Sequence, residues 1–481
     1  MSLDLLNRLV RAVVLVGLVV FFAYSLVLGL LEDDRRMGRL EKGGGQDPGV
    51  RVLLLNRVPP DPSRFYEKVD VTILEPVDVV TPNIPDDPQY RLTLRAGAIL
   101  RVQADTNAGL MLGSKEWGKD YTWPVSAIRI QPQRTDPPAP VAPADINPAR
   151  RDPTLFEAQD HEPVFTLATG RYRGSLDIMY HSAKDVAVIN CLPMEAYIEG
   201  VVAVEMSPSY PLEALKAQAI ASRSYAYAHQ ILARQAHQEF DLSDTADDQE
   251  YRGKGDANGV VRSAVFETRG VVMLVDKTNP FAPLFCASSG GYTESVDSIL
   301  PGARDVFGRV PLGRVMTAHP DHFCKLGAEG LGYESSHWSY TTIIKPADLQ
   351  RALAKVMEAQ GKHIGWIRNL RVGKRDPRSN RVETVLIDHT VDREPIEMSA
   401  NSFRMLVGPF QLRSTLWSAD SPKRIESTEG KRITTYQITS QGFGHGVGMS
   451  QISAWEMANE KYLAEDILKT FYQDIQLTPK W

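Results

Sequence analysis

Residues 201–229 read VVAVEMSPSYPLEALKAQAIASRSYAYAH. The apolar segment at the start of this stretch ends in one carboxylate, Glu205, and a short Ser/Pro turn and an alanine-rich segment follow. The pattern predicts a mostly buried helix from about Met194 to Met206 and a second helix after the turn. Pro193 and Pro211 fit the first turns of these helices, where a missing N–H costs nothing.

Glu205 stands at the predicted end of the first helix. A helix C terminus carries partial negative charge and burial removes water, so both effects are expected to raise the pKa of this carboxyl group. A carboxylic acid that stays protonated near neutral pH can act as a general acid. The sequence therefore indicates a tuned acid, with an ordinary exposed helix-end residue as the alternative. Lys216 and Arg223 share one face of the second helix, either as ligand contacts or as a solvated basic stripe.

The N-terminal segment predicts a membrane anchor. Residues 12–31 are uncharged and apolar over the length that a bilayer-spanning helix needs. Arg8 and Arg11 precede them and an acidic run follows, so we expect a cytoplasmic N terminus and an exported remainder. A cleaved signal peptide is the alternative interpretation. The net charge of −5 lacks the basic excess of a nucleic-acid binder.

The pattern along the chain predicts an α+β protein of several segments. Alternating apolar and polar residues at 90–105 indicate half-buried strands. We expect strands again at 263–276, and helices at 346–360, 449–460 and 463–475. The predicted segments are a transmembrane anchor (1–34), a tether (35–48), a small β-rich region (49–134), a Pro-rich linker (135–153) and a domain of mixed strands and helices (154–481).

Two further motifs combine glycine with polar side chains. SSGGYT (288–293) offers hydroxyl groups that suit sugar recognition and glycines that permit tight turns, although a plain Gly/Ser turn has the same composition. GFGHGVGMSQ (442–451) does not match a dinucleotide-binding G-x-G-x-x-G motif. It leads into a predicted helix, and His445 either lines a cleft or only fixes the loop by hydrogen bonds.

The order of these motifs resembles the SpoIID/LytB family of cell-wall proteins. VINCLPMEAYIEGVVAVEM, EALKAQAIASRSYAYAH, DTADDQEYRG, ASSGGYTES, SANSFRMLVG, LRSTLWS and GFGHGVGMSQ follow one another over about 155–481. The resemblance implies a SpoIID-like catalytic domain and lytic transglycosylase activity on peptidoglycan. It implies that Glu205 is the catalytic acid and that Lys216 and Thr293 contact substrate. The family usually continues SQYGA where this chain has SQISA, which weakens any contact assigned to Ile452 or Ser453.

One acid suits such an activity. Glycosidases that use water generally need two carboxylates, and the sequence offers no convincing second one, since Asp244, Asp247 and Asp248 read first as part of a polar loop. As the resemblance implies, a lytic transglycosylase uses the 6-hydroxyl of N-acetylmuramic acid instead of water and leaves a 1,6-anhydro sugar. The remaining predicted substrate-binding residues are Gln218, Arg223, Tyr251, Ser288, Ser289, His445 and Gln451.

The expected partners are peptidoglycan glycan strands, the membrane through residues 12–31, and a cell-wall amidase. We predict no cofactor and no metal, because His319, His322, Cys286 and Cys324 match no standard zinc spacing. Outside the cytoplasm the redox conditions allow a Cys286–Cys324 disulfide. Two alternatives remain open. One is a non-catalytic glycan-binding protein that stimulates an amidase, and the other is a structural wall protein whose 49–134 region binds a partner.

Overall fold

A computed structural model describes residues 47–481, except 56–64, 83–87, 106–108, 115–119, 134–163, 168–169, 183, 246, 256, 359–360, 362, 392 and 428–432. The predicted anchor at 12–31 and the predicted linker at 135–153 lie outside the described residues. Within the described part of the chain, no helix is both long and apolar enough to span a membrane. The chain forms two compact units, one extending to Val272 and including Thr478–Trp481, the other formed by Met273–Leu477.

The first unit contains two sheets. Among its described residues, one sheet has the strand order β13-β1-β12-β11-β8-β3-β4 and the other β10-β9-β2-β5-β6-β7. Their strands are β1 (Gly49–Leu54), β2 (Lys68–Ile73), β3 (Val77–Val80), β4 (Leu92–Leu94), β5 (Ile99–Ala104), β6 (Leu110–Ser114), β7 (Tyr121–Trp123), β8 (Ala127–Pro132), β9 (Phe165–Leu167), β10 (Gly170–Tyr172), β11 (Ser175–Tyr180), β12 (Val186–Pro193) and β13 (Leu242–Ser243).

Strands from both sides of the predicted linker share these two sheets. β1 pairs antiparallel with β12, β8 pairs with β11, and β2 pairs with β9. The alternation predicted at 90–105 is present in β5, where Leu100 and Val102 are fully buried and Ile99 and Arg101 are exposed. The predicted β-rich region therefore completes sheets together with the strands that lead into the first helix.

Two helices follow β12 and a third follows β13: α1 (Met194–Glu205), α2 (Leu212–Gln235) and α3 (Gly259–Glu267). The predicted first helix is confirmed to within one residue, and Pro193 and Pro211 occupy the N-cap positions of α1 and α2. The strand predicted over 263–276 is wrong in its first part. Residues 263–267 belong to α3, because the side chain of Asn258 accepts a hydrogen bond from the Val261 N–H and caps that helix.

The second unit has its own core, in which Val385, Ile387, Phe403 and Trp417 are buried together. Helices are present at Pro346–Glu358, Gln451–Asn459 and Ala464–Phe471, within the bounds predicted for them, and the α+β class is confirmed. Met449 and Ser450 form a strand instead, and another strand begins at Ile475. The chain passes between the units within β14 (Val271–Val275) and β25 (Ile475–Pro479). The elements between them are β15 (Asn279–Pro280), β16 (Phe285–Cys286), α4 (Phe323–Gly330), β17 (Ser339–Ile344), α5 (Pro346–Glu358), β18 (Ile367–Arg375), β19 (Val382–His389), β20 (Ile396–Ser399), α6 (Ala400–Val407), β21 (Leu416–Trp417), β22 (Lys423–Ser427), β23 (Ile433–Gln441), β24 (Met449–Ser450), α7 (Gln451–Asn459) and α8 (Ala464–Phe471).

The first turn of α1 is capped from a distant part of the chain. The N-cap residue Pro193 offers no side-chain hydrogen bond. Instead, the carboxyl group of Asp47 accepts hydrogen bonds from the backbone N–H groups of Met194 (2.7 Å) and Glu195 (3.2 Å). Burial and the nearby Glu195 raise the pKa of Asp47 to about 6. The start of α1 is thus fixed by a carboxyl group whose pKa lies above its ordinary value.

Replacing Asp47 with Asn is expected to flatten the pH dependence of stability. Because the folded-state pKa lies above the unfolded one, the native protein binds more protons between about pH 4 and 6, so the free energy of unfolding falls as pH rises through that window. A shift of this size corresponds to about 3 kcal/mol. Calorimetric unfolding from pH 4 to 7 should show the decline in wild type and a smaller one in Asp47→Asn. The exposed Glu67→Gln serves as control, and equal slopes in all three would contradict this origin.

Candidate functional site

Glu205 is the last residue of α1, as predicted, and it is half-buried. Its Oε1 accepts a hydrogen bond of 3.0 Å from the backbone N–H of Glu250. The next residue, Met206, leaves the helix in an extended conformation, and its N–H bonds to the carbonyl of Val202. The carboxylate thus lies where the helix ends and a second segment of the chain provides a fixed donor.

The turn after Glu205 presents hydroxyl groups to solvent. Ser207 and Ser209 are exposed, and their Oγ atoms lie 2.8 Å apart. The side-chain amide of Asn258 donates to the carbonyl of Pro208 at 3.1 Å, while its oxygen caps α3. One asparagine therefore joins this turn to α3.

The Glu250 N–H is held in place by close packing of its loop against α1. A Cβ atom on Gly200, in the middle of α1, would lie 2.2 Å from the carbonyl oxygen of Gly253. Tyr251 is buried, donates its hydroxyl to Asn190 Oδ1 at 2.9 Å and packs on Tyr197 with ring centroids 5.0 Å apart. Glycine at 200 is therefore what allows the 250–253 segment to reach the helix.

The neighbouring acids of the 244–248 loop are used to build the loop itself. Asp244 is fully buried, and its Oδ1 accepts from the N–H of Leu55 at 3.1 Å. Asp248 Oδ2 accepts from the N–H and the hydroxyl of Ser243, both at 2.8 Å, and its Oδ1 accepts from the Tyr225 hydroxyl at 3.3 Å. Asp247 alone of these three faces solvent. The polar-loop interpretation of this motif is supported.

Lys216 bridges two helices. Its Nζ lies 2.8 Å from Glu213 Oε1 in α2 and 2.6 Å from Glu267 Oε2 at the end of α3. Burial acts to lower the pKa of Lys216, but hydrogen bonds and charge from the two carboxylates outweigh burial and raise the pKa above its ordinary value. This lysine is charged and partly accessible, and both of its carboxylate partners come from the same unit.

Arg223 lies in the interior of the first unit and not on a ligand surface. It is fully buried and forms a bidentate ion pair with Glu195, with Nη2–Oε2 at 2.6 Å and Nε–Oε1 at 3.0 Å. It also donates to the carbonyl of Val271 at 3.1 Å. Gln218 is equally buried and donates to Ser222 Oγ at 3.0 Å. Gln218 and Arg223 face the core of the first unit from α2, and Tyr251 is buried in the 250–253 segment. This placement does not bring the three predicted sugar contacts to a ligand surface.

The hydroxyl groups of the SSGGYT motif are also used internally. Ser288 Oγ donates to the carbonyl of His337 at 2.7 Å, Ser289 Oγ donates to Asp321 Oδ2 at 2.6 Å, and Thr293 Oγ1 donates to the carbonyl of Thr317 at 3.0 Å. All three hydroxyl residues are fully buried. Their interactions hold the second unit together, which matches the plain-turn alternative rather than sugar binding.

His445 fixes its loop. Its Nδ1 accepts a hydrogen bond of 3.0 Å from the Val447 N–H. Burial and the positive charges of Arg404 and Arg381 lower the pKa of His445 to about 3, so the ring is neutral at physiological pH. Gln451 is the buried first residue of α7. Of the two interpretations of His445, the structure supports the one in which it holds the loop.

The sequence was compared with known proteins. The SpoIID family profile, described as a stage II sporulation protein, matches residues 182–274, and a domain of unknown function (DUF8618) matches residues 322–448. An uncharacterized protein of Brachyspira hyodysenteriae is 32% identical over 327 residues, 67% of this chain and 76% of the relative. Stage II sporulation protein D of Bacillus subtilis is 27% identical over 300 residues, 60% of this chain and 75% of the relative. The chain belongs to the SpoIID family.

A further relative of this SpoIID-family protein is the amidase enhancer of Bacillus subtilis, 26% identical over 293 residues, which are 58% of this chain and 40% of the relative. The SpoIID match at 182–274 spans β12, α1, α2 and α3. It therefore covers Glu205, the turn that follows it and the Glu250 loop.

The cysteines of this SpoIID-family protein are unpaired. Cys286 and Cys324 are buried free thiols, and Cys324 Sγ lies 3.2 Å from Ser288 Oγ. The allowed Cys286–Cys324 disulfide is therefore absent from this structure. The described residues contain no group of three or more His, Cys, Asp or Glu side chains arranged to hold a metal ion.

Sequence reasoning missed two parts of the site. The group that donates a hydrogen bond to Glu205 is a backbone N–H, and no side-chain motif predicts its position. Gly200 gave a usable signal, since a glycine inside a helix costs about 1 kcal/mol relative to alanine and usually marks a close approach of another segment.

Arg223→Met is expected to destabilise the first unit by about 3–5 kcal/mol, because it leaves the buried Glu195 carboxylate without its partner. Thermal unfolding measures the loss, with the exposed Arg252→Met as the matched control. Unchanged stability together with weakened binding of glycan strands would instead make Arg223 a ligand contact.

Gly200→Ala is expected to displace the 250–253 segment and break the contact with Glu205. The added methyl group overlaps a backbone oxygen, and such overpacking costs about 1–3 kcal/mol. Hydrogen exchange should show faster exchange at the Glu250 amide. Gly259→Ala is the matched control, since a Cβ at Gly259 meets no atom within 4 Å. An unchanged Glu250 exchange rate in Gly200→Ala would contradict this view of the loop.

Proposed function

We propose that this protein is a membrane-anchored lytic transglycosylase that cleaves the bond between N-acetylmuramic acid and N-acetylglucosamine in peptidoglycan. The observation that carries the proposal is the setting of Glu205, a half-buried carboxylate at a helix end, held by the Glu250 N–H beside exposed serine hydroxyls. Membership in the SpoIID family, which is associated with cell-wall modification, agrees with this substrate class.

The surroundings of Glu205 suit a group that works in both protonation states. The negative end of α1 stabilises the protonated acid, whereas the Glu250 N–H stabilises the carboxylate by a hydrogen bond. The acid form protonates the glycosidic oxygen as the bond to C1 of N-acetylmuramic acid breaks. The resulting carboxylate then takes the proton of the 6-hydroxyl while that oxygen bonds to C1. The product carries a 1,6-anhydro ring, Glu205 regains its proton and no water is consumed.

Two neighbouring acids are already engaged in hydrogen bonds, which favours this one-acid route over hydrolysis. Hydrolysis needs a second carboxylate to form a covalent intermediate or to activate water. In the 244–248 loop, Asp244 and Asp248 are engaged by backbone, serine and tyrosine groups. The substrate's own hydroxyl removes the need for either of them.

The expected location follows from the N-terminal sequence. Residues 12–31 would hold the protein in the membrane as a single helix, with Arg8 and Arg11 on the cytoplasmic side. Both units would then face the cell wall.

A second candidate is a non-catalytic glycan-binding protein that stimulates a wall amidase. The relative named amidase enhancer favours it, and so does the burial of the hydroxyls in the SSGGYT motif, which leaves fewer polar groups for catalysis. In this case the protein would bind strands without cleaving them.

Glu205→Gln is expected to lower the rate of strand cleavage at least 100-fold, since general acid–base catalysis contributes about 10²–10⁴-fold to the rate. Full-length protein in mild detergent is incubated with amidase-treated glycan strands, and mass spectrometry follows the 1,6-anhydro ends. Glu239→Gln, which neutralises an exposed carboxylate of the same unit, serves as control and should cleave like wild type. Strand binding by wild type without any cleavage would reject the transglycosylase and favour the amidase-stimulating candidate.

A further inference from the structure

An exposed aromatic surface lies in the second unit, far in sequence from Glu205. Phe410 exposes 79% of its surface. Its ring centroid is 6.0 Å from that of the half-buried Phe443, with the rings nearly perpendicular. Arg413 lies over the Phe443 ring at 5.3 Å from the centroid. We call Phe410, Arg413 and Phe443 the Phe410 surface.

The backbone holds Phe410 in solvent. Gly408 follows α6 with φ of +112°, a conformation that side chains disfavour. The N–H groups of Gln411 and Leu412 both donate to the Gly408 carbonyl, at 3.0 and 2.9 Å. Leu412 is fully buried in the core of the unit. The aromatic ring is thus presented by a closed turn anchored on both sides, so binding would cost little additional ordering of the backbone.

Arg413 is held without an acidic partner. Its Nη1 donates to the Ser336 carbonyl at 2.6 Å and its Nε to the Phe410 carbonyl at 3.3 Å. The guanidinium also stacks 5.2 Å from the centre of the Tyr340 ring. Within the described residues it forms no ion pair with any carboxylate, unlike Arg51, Arg129 or Arg371. The guanidinium of Arg413 therefore places a positive charge beside the exposed ring, where an anionic ligand can pair with it.

His337 lies beside the Phe410 surface and carries no charge at neutral pH. His337 lies 5.2 Å from Phe443 between ring centroids and shares a 2.7 Å hydrogen bond with Ser336 Oγ. Burial and the charge of Arg413 lower the pKa of His337 to about 4. At neutral pH the cation beside the exposed ring is therefore Arg413.

We propose that the Phe410 surface binds a pyranose ring that carries a carboxylate. The apolar face of the sugar stacks on Phe410, and the carboxylate accepts charge-assisted hydrogen bonds from Arg413. Within the proposed function this sugar is N-acetylmuramic acid, whose lactyl group ends in a carboxylate, and to that extent the inference rests on that function. It adds a subsite that recognises the sugar by charge in a unit that does not contain Glu205.

Binding is measured with full-length Glu205→Gln protein in mild detergent, so that strands stay intact. Isothermal titration uses peptide-free N-acetylglucosamine–N-acetylmuramic acid strands of six sugars, and chitohexaose as the ligand without carboxylates. Phe410→Ala should lower the affinity for both ligands about tenfold. Arg413→Gln should lower the affinity for the muramic acid strand about tenfold and change the affinity for chitohexaose little. The preference for the acidic strand is then lost.

Trp366→Ala is the matched control, because Trp366 is an aromatic residue of the same unit that is 75% exposed and lies outside the Phe410 surface. It should bind both ligands like the parent. Phe410→Ala or Arg413→Gln binding the muramic acid strand as tightly as Trp366→Ala would overturn the proposal. Equal losses for both ligands in Arg413→Gln would overturn its charge-based part. The outcome is separate from the cleavage assay, since a protein that never cleaves can still show this binding pattern.

Discussion

The buried ion pair between Glu195 and Arg223 is the interaction on which the candidate site depends. Glu195 lies in the first turn of α1, and besides the guanidinium it accepts hydrogen bonds from the Gly270 N–H and the Trp481 indole. Two buried charges are stable only when paired and hydrogen-bonded, so α1 and α2 are held in one arrangement. Glu205 lies at the other end of the same helix, so the ion pair that fixes α1 also fixes the position of Glu205.

The two ends of α1 are also fixed by segments distant in sequence. Asp47 caps the start, and the Glu250 loop contacts the end through the space that Gly200 leaves open. In each contact the donor is a backbone N–H group, so the main chain of the 250–253 segment holds the Glu205 carboxylate. This rigidity is what a single acid needs when it must protonate one oxygen and then deprotonate another.

Local patterns in the sequence predicted α1, α2, α5, α7 and α8 and missed α3, α4 and α6. Prolines marked the starts of α1 and α2, and apolar periodicity marked α5, α7 and α8. The same reasoning failed over 263–267, where valine and phenylalanine suggested a strand and only the cap from Asn258 makes a helix. The pairing of strands that precede residue 134 with strands that follow residue 163 could not be predicted either, because it depends on contacts between residues distant in sequence. The helix end at Glu205 was predicted from the sequence, whereas the burial of Arg223, Ser288, Ser289 and Thr293 was not. The sequence does not show whether a polar side chain contacts a sugar or forms a hydrogen bond with a buried carbonyl group.

In the proposed reaction the substrate supplies its own nucleophile and Glu205 alone transfers the protons. Digestion of peptide-free glycan strands by the wild-type protein in water enriched in oxygen-18 distinguishes this reaction from hydrolysis. We expect new ends that contain no heavy oxygen and are lighter than a reducing end by one water, because the 6-hydroxyl closes the ring. One heavy oxygen at each new end would show that water attacks, and it would require a second carboxylate beside Glu205.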